Sequence, residues 1–285
     1  MIETKDVPAG INSKGVLKIQ KFSLSYMAMN PIMCMIAKRG SGKSWLCKDI
    51  IIFFKDKIPA HVIIAPTDSM SRFYSTTVPD IYVHYTYEPK FMELLLQRQN
   101  YLVKKARQKI LEGKKFDPRI LLIMDDCLAD VQSWANDPAI QALFFNGRHY
   151  CITYILTMQH PLGIKPSFRG NIDYVFIFKD NIASNHKKIW LSYAGMFRYF
   201  EHFLQVYSSL TENWSCMVID NRSTHNDPAK IVFWYKARTH NGMFQVGCPE
   251  YNRVHQQSYN PNWDNTSLSY NLFDKGNKVT VSKTK

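Results

Sequence analysis

The chain has 285 residues, which suffice for one large α/β domain with a tail or for two small domains. Hydrophobic residues make up 46% of the sequence and charged residues 21%, a globular composition that excludes a disordered chain. Lys and Arg number 36 against 23 Asp and Glu, a net charge of +13. This balance favours an anionic partner such as nucleic acid, the alternative being a merely cationic soluble protein.

The cysteines and the amino terminus indicate in which cellular compartment the protein is expected. The six cysteines are widely spaced and form no C-x-x-C pair: Cys34, Cys47, Cys127, Cys151, Cys216 and Cys248. We expect reduced, buried, intracellular thiols and no zinc site. The first ten residues contain no apolar stretch typical of a secretory signal, and the apolar run Ile50–Phe54 is too short to span a bilayer. We therefore expect a soluble protein without membrane insertion.

In chain order, the predicted elements alternate between strands and helices. A strand region at about 16–26 precedes the apolar run Ile32–Ala37, a glycine-rich loop and a helix over Ser44–Lys55. Further strands are predicted at His61–Ala65, Ile81–Tyr85, Arg119–Asp126, Cys151–Thr157, Ile172–Lys179, Cys216–Asp220 and Ile231–Lys236, and helices at Lys90–Gly113 and around Lys187–Tyr207. Buried strands that alternate with helices indicate an α/β fold whose mostly parallel sheet is covered on both faces.

The glycine-rich loop AKRGSGKS is one residue away from the phosphate-binding pattern G-x-x-x-x-G-K-[ST], because Ala37 replaces the first glycine. Gly40 and Gly42 permit a nest of backbone N–H groups at a helix N-terminus. Lys43 would reach the β- and γ-phosphates of ATP, and the Ser44 hydroxyl would ligate Mg²⁺. A chance match is the alternative, which the strand, loop and helix context disfavours. The candidate nucleotide-binding residues are Ala37, Lys38, Arg39, Gly40, Ser41, Gly42, Lys43, Ser44 and Trp45.

Two carboxylates follow the apolar run ILLIM at a predicted strand end. Asp125 is placed to hold Mg²⁺ through water, and Asp126 to act as the general base on the attacking water. A strand followed by a helix-capping Asp is the alternative. Gln159 follows the predicted strand Cys151–Thr157 after one residue. A polar residue at a strand end is unremarkable by itself. Since ligands bind at the carboxyl ends of parallel strands, its amide could contact the γ-phosphate or the lytic water.

Two arginines have no evident structural role in the sequence, Arg148 in NGRHY and Arg169 in SFRGN. An arginine from a neighbouring subunit can neutralise charge on the transferred phosphoryl group, and a surface ion pair or a capping contact is the alternative. Basic residues that suit phosphate-backbone contacts, or that simply form solvated helix faces, are Lys104, Lys105, Arg107, Lys109, Lys114, Lys115, Lys187, Lys188 and Arg198.

The order of these motifs resembles the DNA-packaging ATPases of large nucleocytoplasmic DNA viruses, in the FtsK/HerA branch of P-loop ATPases. The segment Gly147–Asp180, GRHYCITYILTMQHPLGIKPSFRGNIDYVFIFKD, is especially similar: it combines an Arg-His pair, a strand ending in Gln and an Asn-Ile-Asp run entering another strand. The resemblance covers roughly Ile32 to Lys236. Two departures are Ala37 for the initial glycine and Asp126 for the Glu common among ring ATPases.

The resemblance implies a P-loop NTPase of the ASCE type, with Walker A at Ala37–Ser44 and Walker B at Leu121–Asp126. It implies Gln159 as the sensor and Arg148 as the first candidate arginine finger. It further implies ATP and Mg²⁺, a homo-oligomeric ring of five or six subunits on double-stranded DNA, and a capsid or portal-vertex protein as partner. The expected location is the host cytoplasm at the viral factory, or the virion. Unlike bacterial FtsK, this chain is expected to have no membrane anchor and no winged-helix DNA reader.

We therefore expect an ATPase domain over residues 1–250 and a flexible tail over 251–285, rich in Asn, Ser and Lys. The function that this predicts is an ATP-driven translocase that packages double-stranded DNA. The alternatives are a HerA-like helicase or recombination translocase, a P-loop small-molecule kinase, which the net charge of +13 disfavours, and a non-hydrolysing virion subunit.

Overall fold

The computed structural model describes residues 17–127, 134–242 and 244–262. Nine strands form one sheet in the order β1-β9-β8-β7-β2-β6-β5-β3-β4. The strands are β1 Gln20–Lys21, β2 Ile32–Ile36, β3 Ala60–Ile64, β4 Val83–His84, β5 Ile120–Met124, β6 Ile152–Met158, β7 Tyr174–Ile177, β8 Ser215–Asp220 and β9 Val232–Lys236.

Helices and two 3₁₀ turns connect these strands. The helices of the described residues are Lys43–Phe54, Asp68–Ser71, Pro89–Leu111, Pro138–Asn146, Pro166–Arg169, Ala183–Tyr193, Phe200–Leu210, Pro228–Ile231 and Pro249–Ser258, and the 3₁₀ turns are Leu24–Tyr26 and Asp80–Tyr82. Within the same ranges, no helix is both long enough and apolar enough to cross a membrane.

The centre of the sheet is parallel and completely buried. β2 lies between β6 and β7, and β5 lies between β6 and β3, with all four pairings parallel. Every residue of β2, β3, β5 and β6 is buried, which is why these segments are continuous rather than alternating apolar runs. The predicted α/β fold with a mostly parallel sheet is therefore confirmed. Its parallel strands bring the phosphate loop after β2 and the two carboxylates after β5 to the same edge.

Two details differ from the sequence prediction. The region predicted as one strand near 16–26 forms only the two-residue β1 and a 3₁₀ turn. The helical region predicted around Lys187–Tyr207 is confirmed and contains parts of two helices. β8 runs antiparallel to both β7 and β9, an orientation that its apolar composition did not indicate. Of the six cysteines, Cys151 and Cys248 are half-buried and the other four are buried.

The expected tail boundary at Tyr251 is wrong for the first residues of the tail. Pro249–Ser258 is a helix, and Tyr251 is buried and stacks on Tyr82 with ring centroids 3.9 Å apart. The Tyr251 hydroxyl also donates to the carbonyl oxygen of His61, at 2.7 Å. These contacts bind the helix to the β3 side of the sheet. Residues 263–285 of the predicted tail lie outside the described residues.

A buried carboxylate fixes the helix that follows the phosphate loop. Asp49, on Lys43–Phe54, is fully buried and accepts hydrogen bonds from the Tyr235 hydroxyl at 2.8 Å and from the backbone N–H and Nε of Arg238 at 2.9 and 3.0 Å. His240 Nε2 lies 2.7 Å from the same carboxylate. Burial raises the pKa of Tyr235, so this phenol remains a donor. Asp49 therefore joins the helix to the segment after β9.

Asp49→Ala removes the acceptor of these bonds and leaves a buried hydroxyl and a backbone N–H unpaired. We expect the free energy of unfolding to fall by about 2–4 kcal/mol, measured by urea unfolding at equal m values. Asp56→Ala is the control, because Asp56 lies just after the same helix, its side chain is 79% exposed and it forms an ion pair with Lys55 at 3.6 Å. This substitution should change the free energy of unfolding by less than about 0.5 kcal/mol. Equal effects of the two substitutions would contradict this role of Asp49.

Candidate active site

The phosphate loop has the backbone geometry that its sequence predicts. Gly40 and Gly42 adopt φ angles of +75° and +98°, a region that glycine reaches without a steric cost. Gly42 caps the N-terminus of the helix Lys43–Phe54. Ala37 is buried and its N–H donates to Met158 O at 2.8 Å, so this residue continues the pairing of β2 with β6. Its methyl group therefore occupies the sheet edge rather than the glycine turn.

The remaining loop positions differ in exposure. Lys38 and Arg39 are exposed, and the Ser41 hydroxyl donates to Lys38 O at 2.7 Å, which closes the turn. Trp45 is half exposed and packs edge-on against Phe73 with centroids 5.6 Å apart. The side chains that face inward from this segment are thus those of Lys43 and Ser44, both of which are partly buried.

Lys43 lies between the two predicted catalytic carboxylates. Its Nζ is 3.1 Å from Asp125 Oδ1 and 3.6 Å from Asp126 Oδ1. Burial alone would lower the pKa of Lys43, but the charges of Asp125 and Asp126 outweigh it and raise the pKa above its usual 10.5. Lys43 is therefore a cation at every physiological pH. One ammonium and two carboxylates make a site in which negative charge is in excess, which suits a divalent cation.

Asp125 is the most enclosed of these groups, with a side chain 4% exposed. Its Oδ2 accepts from the Ser44 hydroxyl at 3.3 Å and from the Tyr74 hydroxyl at 2.6 Å, and its Oδ1 accepts from the Thr157 hydroxyl at 2.6 Å. The two residues predicted to hold Mg²⁺, Ser44 and Asp125, are thus in direct contact. Hydroxyl and carboxylate oxygens are the ligands that Mg²⁺ prefers, so the residues present fit this ion.

Tyr74 and Thr157 are site residues that the sequence did not reveal. Thr157 lay inside the predicted strand CITYILT, and its one signal was a polar residue at the end of an apolar run beside the acidic strand. Tyr74 gave no signal, because it meets Asp125 from a loop 51 residues away. Burial raises the pKa of Tyr74 far above its ordinary value, so it acts as a hydrogen-bond donor that holds the carboxylate.

Asp126 turns away from Asp125 and toward Gln159. Its φ angle is +58°, a left-handed conformation that Asp tolerates better than most residues. Its N–H donates to the Thr157 hydroxyl at 3.0 Å, and its Oδ1 accepts from Gln159 Nε2. The Asp126 side chain is 26% exposed, so of the two carboxylates it is the one that a solvent molecule can reach. The structure brings together Lys43, Ser44, Asp125, Asp126 and Gln159 as the sequence predicted.

Arg148 and Arg169 both have structural partners, contrary to the sequence interpretation that they lack such a role. Arg148 forms an ion pair with Asp173, which is 2% exposed. Asp173 precedes β7 and also accepts from the N–H of Ile32 at 2.8 Å, so Arg148 lies at the amino edge of the sheet, opposite the phosphate loop. Arg169 donates to the carbonyl oxygen of Ile164 and to Ser192. Among the contacts of the described residues, none joins Arg148 or Arg169 to Asp125 or Asp126, and a role in a neighbouring subunit stays a prediction.

Comparison with known proteins places this site in a viral family. The family model described as poxvirus A32 protein matches residues 19–222. Uncharacterized protein L437 of Acanthamoeba polyphaga mimivirus is 42% identical over 246 residues, 86% of each chain. Uncharacterized protein 075L of invertebrate iridescent virus 6 is 32% identical over 228 residues, 79% of this chain and 85% of that protein.

Two solved structures that contain ATP analogues have the same fold. The genome packaging NTPase B204 of Sulfolobus turreted icosahedral virus 2, in complex with AMPPCP, matches with a TM-score of 0.53 at 19% identity and covers 74% of this chain and 100% of B204. The pCW3 conjugation coupling protein TcpA matches with a TM-score of 0.52 at 12% identity and covers 89% of this chain and 75% of TcpA. At these identities the likeness establishes the fold alone.

The family match spans more than half of the chain, and the relatives from large DNA viruses extend over most of it. The resemblance to the ATPases of large DNA viruses, which the motifs predicted, is confirmed, and so is the P-loop fold. Together with the arrangement of Lys43, Asp125 and Asp126, these findings identify the chain as a P-loop ATPase that belongs to the poxvirus A32 protein family.

Proposed function

We propose that the protein couples the Mg²⁺-dependent hydrolysis of ATP to the movement of double-stranded DNA into a viral capsid. The observation that carries the proposal is the convergence of Lys43, Ser44, Asp125, Asp126 and Gln159 at one sheet edge. Its family and its fold, shared with a genome packaging NTPase, support the choice of DNA as the moved polymer. The setting would be the viral factory in the host cytoplasm, with a capsid or portal-vertex protein as partner.

The proposed chemistry follows from the contacts of these five charged or polar side chains. Lys43, whose ammonium pairs with Asp125 and Asp126, would bind the β- and γ-phosphates of ATP. Ser44 and Asp125 would hold Mg²⁺, which supplies a Lewis acid that neutralises charge on the phosphates. Asp126, the more exposed carboxylate, accepts a proton from the attacking water, and Gln159 fixes its orientation through the hydrogen bond to Oδ1.

Basic residues at two edges of the sheet support an interaction with the DNA backbone. Lys104, Arg107 and Lys115 are exposed where the helix Pro89–Leu111 leads back to the amino edge of β5. Lys187 is exposed on a helix that follows β7 at the opposite, catalytic edge. Groups at both edges would suit a ring through which DNA passes, because phosphates are contacted along the path without base reading. Five or six subunits would form this ring.

The proposed function is tested by measuring the steady-state ATPase rate with and without long double-stranded DNA. We expect the wild type to require Mg²⁺ and to be stimulated several-fold by DNA, and Lys43→Ala to lose at least about 100-fold in rate, because the ammonium stabilises the transferred phosphoryl group. Lys55→Ala, which changes a lysine at the other end of the same helix, is the control and should match the wild type. If the wild type hydrolyses ATP at a rate that DNA of any length leaves unchanged, the translocase hypothesis is refuted and a small-molecule substrate is favoured.

Thr157→Val tests how far the Thr157 hydroxyl contributes to the positions of Asp125 and Asp126. The hydroxyl donates to Asp125 and accepts from the N–H of Asp126, so its loss should raise the Mg²⁺ concentration needed for half-maximal rate and lower the rate by about 10- to 100-fold. Thr153→Val makes the same change four residues earlier in β6, at another buried position, and should leave the Mg²⁺ titration unchanged. Indistinguishable titrations for the two variants would show that Thr157 has no part in positioning Asp125.

Arg148 is the first candidate for an arginine that acts in a neighbouring subunit. We expect Arg148→Ala subunits, mixed into wild-type ones, to lower the ATPase rate by more than their share, since each would inactivate the site next to it. Asp173→Asn is the matched control, because it breaks the ion pair but keeps the guanidinium. Asp173→Asn subunits should lower the ATPase rate of a mixture by no more than their share. A loss strictly proportional to the fraction of Arg148→Ala would leave this arginine with the ion pair as its only role.

A further inference from the structure

The turn before β8 places a tryptophan against the phosphate loop. This turn connects the helix Phe200–Leu210 to β8 and is closed by a hydrogen bond from Ser215 N to Glu212 O at 2.9 Å. A Cβ atom built on Gly42 would lie 3.8 Å from Cε3 of Trp214 and 3.8 Å from Cε1 of Phe178. The indole is therefore within van der Waals reach of the loop, although no sequence motif included it.

Two features of Trp214 are unusual for a residue that serves only the fold. The side chain is 67% exposed, whereas Phe178 beside it is buried. Asn213 and Trp214 have successive φ angles of +51° and +65°. Asn tolerates this left-handed region, but a bulky ring there is an outlier, and such strain concentrates at functional sites. The turn holds a large aromatic ring in solvent, at the edge of the loop, at a conformational cost.

The position of the ring agrees with the direction in which a bound nucleotide must run. The groups that would meet the γ-phosphate, Asp125 and Asp126, follow β5, which lies two strands from β2 on the β6 side. Trp214 approaches Gly42 from the other side of β2, where β7 and β8 lie. A triphosphate that passes over the loop with its γ end toward β5 has its base directed toward β8. The indole is an exposed aromatic surface on that side of the loop.

We propose that Trp214 forms the nucleobase subsite, stacking its indole on the purine ring of the bound nucleotide. The inference rests on the proposed function, because it requires that the phosphate loop bind a nucleoside triphosphate. An aromatic face stacks on any base, and the contact is worth a measurable part of the binding free energy. The stack supplies affinity for the base while Lys43 and the loop supply affinity for the phosphates.

The test compares the dissociation constants of MgATP and of Mg-tripolyphosphate, measured by isothermal titration calorimetry on the full-length protein. Trp214→Ala should weaken the binding of MgATP by about tenfold and leave the binding of tripolyphosphate unchanged. Trp214→Phe keeps a ring and should recover most of the affinity for MgATP, which separates stacking from a folding defect. Tyr26→Ala, which removes another exposed ring, in the 3₁₀ turn before the amino end of β2, is the control and should bind both ligands as the wild type does.

Two results would overturn the inference while the proposed function stands. One is an unchanged dissociation constant for MgATP in Trp214→Ala, with binding still abolished by Lys43→Ala. The other is an equal loss of affinity for MgATP and tripolyphosphate, which would mean that the indole supports the loop and not the base. If the wild type binds no MgATP, or Lys43→Ala binds it equally well, the nucleotide site itself is refuted and the inference fails with it.

Discussion

The carboxylate of Asp125 is the point on which the catalytic edge depends. It is almost fully buried and accepts hydrogen bonds or an ion pair from Lys43, Ser44, Tyr74 and Thr157. These four residues come from the phosphate loop helix, a distant loop and the neighbouring strand β6. A buried carboxylate must be compensated by such partners, so the requirement to satisfy one charge fixes the relative positions of three separate segments.

The same requirement places two adjacent acids in different environments, to which the proposed mechanism assigns different roles. Asp125 accepts hydrogen bonds on both carboxylate oxygens, which would hold it in place as the proposed Mg²⁺ ligand. Asp126 is turned outward by its left-handed backbone, retains access to solvent and is oriented by Gln159. In the proposed mechanism, Asp125 binds the metal ion and Asp126 accepts a proton from water, and the different environments of two identical side chains account for this division.

Much of the fold was predictable, because buried parallel strands are visible in the sequence as apolar runs of four to seven residues, separated by residues typical of loops. The positions of Lys43 and Ser44 were predictable from the glycine-rich loop between a strand and a helix. Those of Asp125 and Asp126 were predictable from the end of an apolar strand. Tyr74 and Trp214 were not, since each reaches the site through a tertiary contact that no local pattern records.

The helix Pro249–Ser258 was missed because its sequence is polar and its stability depends on the stacking of Tyr251 on Tyr82. The antiparallel orientation of β8 was missed because direction is set by the connections and not by composition. The partners of Arg148 and Arg169 were equally invisible, since an ion pair with Asp173 or a bond to Ile164 depends on how distant segments meet. Local patterns thus identified the reacting groups, while the groups that position them had to come from the structure.

The central claim is that this active site drives motion along duplex DNA, and a triplex-displacement assay tests it most directly. A third strand is annealed near one end of a long duplex, and its release is followed after ATP and Mg²⁺ are added. The account predicts that the wild type displaces the third strand in an ATP-dependent manner, with a delay that grows with the distance it must travel, and that Lys43→Ala does not displace it. ATP hydrolysis at full rate on this duplex, with the third strand still in place, would contradict the account.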